Sequence, residues 1–332
     1  MLSLFQRINI LTILVIMSAV HASAQEKLAH VEASTLTTAT ISNDGFILKF
    51  KEIPERAVTL NQTQTEIMLA LGLADHMVGT AYLDDKILPK FAEIYRTIPI
   101  LAKKYPSKEI LLNVAPDFIY AGYPSAFSDR RGMPTRHELL DMGINFYLAP
   151  ITCKGMVTGK SPWSMAILYK ELREVAKIFR VEARAEQLIA TMEKEISRIQ
   201  REQAPDDQKP WILWLDYFSN QGPFVGSGSG PIHAIITLAG GKNSFSDTLI
   251  GKTLATVNQE EIISRPIDYI VLTEAVWSSS AKKRKTLDKD PIYSQLVAVK
   301  NKKYVDIEFS ASTGGIRTVS AIKKLAAALK RQ

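Results

Sequence analysis

The chain predicts an α/β fold of two Rossmann-like lobes with mainly parallel sheets, joined by a single long helix. Three observations predict it. Short apolar strands alternate with helices over residues 56–148 and again from Trp211 onward, the pattern of a mainly parallel sheet with helices on its faces. A helical stretch without Gly or Pro, from about Glu182 to Gln203, separates the two runs. One pattern also occurs once in each run: Ser107-x-Glu109 leading to Asp117-Phe-Ile119, and Asn258-x-Glu260 leading to Asp268-Tyr-Ile270.

The first residues read as a leader. Arg7 precedes an apolar run from Ile8 to Val20, and Ala22-Ser23-Ala24 fits a small-x-small cleavage site. The run is shorter than the roughly 20 apolar residues that span a bilayer. The expectation is a cleaved signal peptide over 1–24 and a periplasmic address. No cysteine follows the apolar run, so a lipid-anchored form is not expected. Cleavage leaves about 308 residues, room for two domains of ordinary size. Cys153 is the only cysteine, which leaves no intrachain disulfide and makes stability a matter of the core. It reads as a small buried hydrophobe rather than a nucleophile. The net charge of +7 gathers in Lys282-Lys-Arg-Lys285, Lys300 to Lys303 and Lys323 to Arg331. These runs lack interleaved aromatics and read as solvated surface, not as a nucleic-acid interface.

The elements follow in order. Residues 25–55 form an N-terminal extension and a hairpin about Ser42-Asn-Asp-Gly45. The N-terminal lobe, 56–180, opens with the strand Arg56 to Leu60 and the loop Asn61-Gln-Thr63. The helix Gln64 to Leu71 comes next, closed by Gly72. Strands follow at Val78–Ala81, Phe118–Ala121 and Phe146–Leu148, with helices from Glu109 and over Thr135–Met142. A helix from Ser164 carries Leu168, Leu172, Val175, Ala176 and Phe179 on one stripe, and Arg180-Val-Glu182 breaks it. Residues 181–205 form the connector, which has no obvious hinge, so little lobe motion is expected. In the C-terminal lobe, 206–332, Trp211–Leu215 and Tyr269–Thr273 are strands, and Pro231–Leu238 and Val319–Lys330 are helices.

In two-lobed α/β proteins the ligand lies at the carboxyl ends of the strands. Loops there nominate Asn61, Gln62, Tyr82, Asp85, Tyr123, Tyr217, Phe224, Ser227, Trp277 and Arg317 as ligand contacts, an aromatic and hydrogen-bonding set suited to a large, partly planar, polar small molecule. The segment Gly226-Ser-Gly-Ser-Gly230 leads into a helix but lacks the Lys-Ser/Thr of a phosphate loop, and reads as a flexible wall of the cleft. His233, in the first turn of that helix, could touch a ligand. No G-x-S-x-G and no H-E-x-x-H occurs. No catalytic residue, metal or cofactor is assigned. In each repeat an N-cap residue and a first-turn glutamate precede the strand. Glu109 and Glu260 therefore stand at matching points of the two lobes, as a symmetric docking surface requires.

The stretches Arg56-Ala-Val-Thr-Leu-Asn61, Thr65-Glu66-Ile-Met-Leu-Ala-Leu-Gly72 and Val78-Gly-Thr, with the two repeats, resemble the periplasmic substrate-binding proteins of ABC importers for iron-siderophores, haem and cobalamin. The resemblance covers nearly the whole mature chain. Thr59-Leu-Asn-Gln62 and Gly79-Thr-Ala-Tyr-Leu-Asp-Asp85 are also similar to a subfamily that binds a deazaflavin-cofactor precursor. The resemblance implies that Glu109 and Glu260 contact arginines of an inner-membrane permease, and that a monomer carries a siderophore, haem or corrinoid-like ligand. The competing reading is an exported α/β enzyme using Asp85, His233 or Arg317. Matched acidic residues on two lobes and the missing catalytic motifs favour the carrier.

Overall fold

The computed structural model describes residues 38–154, 162–248 and 252–330. The expected leader, and the extension up to residue 37, lie outside the described residues.

The hairpin pairs β1 (Ala39–Asn43) with β2 (Phe46–Phe50) through Asp44-Gly45, whose positive φ values suit a two-residue hairpin turn. Ile41, Leu48 and Phe50 face inward. Buried Asn43 hydrogen-bonds both backbone groups of Leu148, accepting from its N–H at 2.9 Å and donating to its carbonyl at 2.8 Å. The hairpin thereby covers an edge of the first sheet.

That sheet is parallel, in the order β5 (Ile100–Ala102), β4 (Met77–Ala81), β3 (Ala57–Leu60), β6 (Phe118–Ala121), β7 (Asn145–Leu148). All four residues of β3 and of β6 are buried, as the continuous apolar runs of a strand covered on both faces require. Besides a single turn at Ala92–Tyr95, the helices between these strands are α1 (Gln62–Ala70), α2 (Lys108–Asn113) and α3 (Arg136–Asp141). The first begins two residues earlier than the sequence suggests, so Gln62 and Thr63 belong to its opening turn rather than to a loop. Thr135 and Glu138 form a reciprocal capping box on α3.

Two helices lead out of this lobe, α4 (Met165–Phe179) and α5 (Glu182–Arg201). The break between them is at Arg180, which takes a left-handed conformation with φ of 56°. The twenty residues of α5 make a rod about 30 Å long. Near its start, Arg184 donates to the carbonyls of Leu71 and Gly72 in the first lobe at 3.0 and 3.1 Å. Toward its end, Glu195 pairs with Lys323 of α9 (Thr318–Leu329) and Glu202 with Lys330, which caps that helix, in the second lobe. The rod is fastened to both.

The second sheet runs β11 (Leu254–Thr256), β9 (Gly222–Gly226), β8 (Trp211–Ser219), β12 (Tyr269–Glu274), β13 (Tyr304–Glu308), with β10 (Lys242–Asn243) also paired to β8. It carries α6 (Pro231–Leu238), α7 (Gln259–Ile263) and α8 (Ser280–Lys289). This sheet keeps the mainly parallel expectation and adds an antiparallel edge. Strands β8, β12 and β13 are parallel, but β8 continues past Leu215 to Ser219 and turns back through Asn220-Gln221 into antiparallel β9. Two other expectations change. The Gly226–Gly230 segment is packed tightly and is no flexible wall: a β-carbon on Gly228 would lie 1.8 Å from the Ser246 carbonyl oxygen, and one on Gly230 2.0 Å from Thr253. The basic run 282–285 is not all solvated, because Lys283 is 2% exposed and donates to the carbonyls of Thr273 and Ser278.

The duplicated pattern has a structural meaning in both lobes. Asp117 accepts the N–H groups of Glu55 at 2.7 Å and Arg56 at 3.0 Å, at the entrance to β3. Asp268 accepts the N–H of Trp211 at 2.7 Å, at the entrance to β8. Each aspartate pins the strand it opens to the first strand of its lobe, and these strands are parallel neighbours. Removing either carboxylate leaves backbone donors without their charged acceptor. Asp117→Ala should cost about 1–3 kcal/mol and Asp268→Ala less, since it frees one donor rather than two. Urea unfolding of the two variants checks both the size and the order.

Candidate functional site

The carboxyl ends of the strands of both lobes meet around a chamber of about 230 Å³. The first lobe contributes the opening turn of α1 (Asn61 to Gln64), Asp84 after β4, Gly122 and Tyr123 after β6, and Ile151 and Thr152 after β7. The second contributes Asp216 from β8, Pro231 and Ile232 from α6, Thr253 and Leu254, and then Phe309, Ser310, Ser312 and Thr313 after β13. Asn61 itself has a φ of 93°, a strained backbone for a residue with a side chain and the kind of conformation that gathers at functional sites. Burial and the neighbouring Asp85 push the Asp84 carboxyl up to about 6, and burial also raises that of Asp216.

The nominated residues divide. Asn61, Gln62 and Tyr123 line this chamber. Tyr82 lies in an adjoining groove with Lys104, Tyr105, Ser128, Arg130 and Arg131; its ring meets that of Tyr105 at 4.8 Å. Tyr105 connects the two spaces, reaching Asn61 Oδ1 at 3.5 Å and Ser125 Oγ at 3.2 Å. Tyr217 and Phe224 are cross-strand partners stacked at 4.4 Å on the β8–β9 hairpin, outside the chamber. Ser227 is fully buried and its hydroxyl is taken by the Lys252 carbonyl. Trp277 is 52% exposed and packs its edge on Phe309. His233 is half-buried, and burial lowers its pKa, but its neighbours Pro231 and Ile232 line the chamber in its place.

Asp85 and Arg317 line a second groove and belong to the joint between the lobes. Arg317, at the start of α9, donates through Nε to Glu66 Oε2 at 2.7 Å, through a second nitrogen to Glu66 Oε1, and to the Lys86 carbonyl at 2.6 Å. Glu66 is buried in α1, where its Oε1 also accepts from Gln62 Nε2 at 3.0 Å and Leu88 N at 3.1 Å. Gln62 Oε1 takes the Asp85 N–H at 3.1 Å, and Asp85 takes the Ser310 N–H at 2.8 Å. Thr63 and Thr313 add a hydroxyl pair at 2.8 Å. A buried ion pair with further hydrogen bonds to both partners is thus the centre of the joint.

A carboxyl group lies close to Gln64 of the chamber wall. Glu171, fully buried on α4, accepts from Tyr120 Oη at 2.5 Å and from Gln64 Nε2 at 3.4 Å. Burial raises it to about 7. Half-buried Cys153 has its thiol pushed up to about 12, chiefly by burial, which leaves it almost wholly protonated and a poor nucleophile at neutral pH. Among the described residues no three His, Cys, Asp or Glu side chains could together hold a metal ion. None of the described helices is long and apolar enough to cross a membrane.

Phe309, Ser310 and Thr313 were missed from sequence because β13 was not recognised. Ile151 and Thr152 follow a strand that was recognised, so the strand-end rule could have found them.

Two α/β lobes on a rigid helical rod, closing on a polar chamber, define the class of two-lobed ligand-binding proteins. Residues 58–311 match the family described as periplasmic binding protein, and the chain belongs to it. It is 23% identical over 304 residues to the uncharacterized ABC transporter substrate-binding lipoprotein YvrC of Bacillus subtilis, covering 89% of this chain and 85% of that one. A periplasmic binding protein from Veillonella parvula superposes with a TM-score of 0.76 at 27% identity, over 88% of this chain and 97% of its own. An ABC-type ferric hydroxamate transport system protein from Saccharomonospora viridis gives 0.71 at 22%, over 87% and 98%, a likeness of fold.

Two measurements follow from the joint and the wall. Arg317→Met leaves Glu66 buried without its cation and should cost about 3–5 kcal/mol in urea unfolding, most of which Arg317→Met with Glu66→Met recovers. Glu171 binds its proton more tightly in the folded chain than in the unfolded one. Its favourable contribution is full below the ordinary carboxyl range and is lost as pH rises through about 7. Glu171→Gln should therefore match the parent near pH 4 and exceed it by on the order of 2–3 kcal/mol at pH 8. Equal differences at both ends of a pH series of melts would contradict this.

Proposed function

We propose that this protein captures a ferric siderophore, a corrinoid or a similar large organic ligand between its lobes and delivers it to an inner-membrane permease, with Glu109 and Glu260 as the docking pair. The chain works as a periplasmic monomer and performs no catalysis in this reading. Relatives support the ligand class: the Saccharomonospora viridis protein is described by ferric hydroxamate transport. The chamber alone is small for such a molecule, so the ligand also extends into the adjoining groove with Tyr82 and Tyr105.

One observation carries the docking role. Glu109 and Glu260 are both exposed and both lie in the first turn of a helix whose N-cap side chain, Ser107 or Asn258, accepts a backbone N–H. Each helix feeds the strand that lies parallel to the first strand of its lobe. The positions match topologically, not only in sequence. A first-turn glutamate gains about 0.3–1 kcal/mol from the helix dipole. That accounts for either residue alone, but not for the same exposed carboxylate at the same point of both lobes.

The Glu109→Arg, Glu260→Arg double variant tests the reading. Like charges across an interface cost several kcal/mol, so uptake in the native host should stop while the purified protein keeps its fold and carries the same captured ligand by native mass spectrometry. Normal uptake by the folded variant would reject the docking role.

A further inference from the structure

The chamber wall carries two carboxylates, Asp84 and Asp216, and among its described lining residues no Lys, Arg or His. The charged neighbour that acts on Asp84 is another acid, Asp85. The cation acting on Asp216 is Lys283, whose ammonium is spent on the Thr273 and Ser278 carbonyls and does not reach the chamber. The first turns of α1 and α6 also end at the chamber. Each contributes about half a positive charge. That offsets part of two full carboxylate charges and leaves their acceptor oxygens in place.

A second observation points to an occupant. Asn61 Nδ2 and Ser310 Oγ are buried polar atoms without a hydrogen-bond partner. Their residues are 3% and 2% exposed, they come from opposite lobes, and both line this chamber. Asn61 Oδ1 is already used, accepting from Gly122 N at 3.2 Å, so the free side of the amide is its donor. Buried polar groups in folded proteins find partners, and both residues stand on the wall of the chamber that receives the ligand. The adjoining groove has the opposite character, with Lys104, Arg130 and Arg131 beside its tyrosines.

We infer that the chamber receives the cationic end of the ligand, a protonated amine or an equally donor-rich group, between Asp84 and Asp216, with Asn61 and Ser310 hydrogen-bonding beside it. This rests on the cleft being the ligand site. A carboxylate or phosphate entering first meets two carboxylates. Acidic groups of the same ligand belong at the outer groove, so the ligand has one orientation.

Three probes of similar size separate the charges: tyramine, para-ethylphenol and para-hydroxyphenylacetate, each titrated calorimetrically into the purified chain at neutral pH. Tyramine should bind at least about tenfold more tightly than para-hydroxyphenylacetate, with para-ethylphenol between them. Asp84→Asn with Asp216→Asn should bring the three within about threefold of one another. Asn61→Asp, which adds a carboxylate where a donor now lacks a partner, should widen the preference for tyramine, and this variant keeps the test alive if the double variant does not fold. Preference for the anion, an unchanged preference in the double variant, no widening in Asn61→Asp, or binding of none of the three would each overturn the inference. Such a failure alongside glutamate-dependent uptake would reject the chamber's charge selection alone and leave the carrier reading standing.

Discussion

The arrangement of the two lobes depends on one buried ion pair. Arg317 and Glu66 are 251 positions apart in the chain and share two hydrogen bonds in the structure. Desolvating two charges is expensive, and such a pair is favourable only when its geometry and remaining hydrogen bonds are complete. Here Gln62, Leu88 and the Lys86 carbonyl add hydrogen bonds to the pair. The same network holds Asp85 on Ser310 and so sets how the loop after β4 faces the loop after β13. Both loops are chamber walls. The position of the site is thus a by-product of how the joint is satisfied.

The rod α5 gives the joint its leverage. Arg184 fastens one end to the carbonyls that close α1, and Glu195 and Glu202 fasten the other to α9. The helix α1 carries Glu66 and α9 begins at Arg317. The two ends of the rod and the two halves of the ion pair therefore lie on the same pair of helices. The lobes are tied at two separated places, which resists both twisting and opening.

Much of this was readable before the structure. The two runs of alternation, the break at Arg180 and the repeated Asp117 and Asp268 are local signals, set by apolar runs, a helix end and an acceptor that closes a strand entrance. What could not be read was set by partners distant in sequence. Arg317 looked like a free cation for a ligand because Glu66 gives no sign of it along the chain. Ser227 looked like a cleft hydroxyl, but close packing of Gly228 and Gly230 turns it inward. The helix α8 was hidden by its own charges, since a run of Lys and Arg reads as surface even where Lys283 is buried. The hairpin β8–β9 escaped because Tyr217 reads as loop, when it continues the strand.

The double tie has a kinetic consequence. A cleft whose walls are already in place asks little reorganisation of an incoming molecule, so capture proceeds at a rate set by encounter and entry. Differences in strength between cargoes then show in how long each stays. Opening such a cleft means separating the lobes at both ties, which exposes the Arg317–Glu66 pair to water.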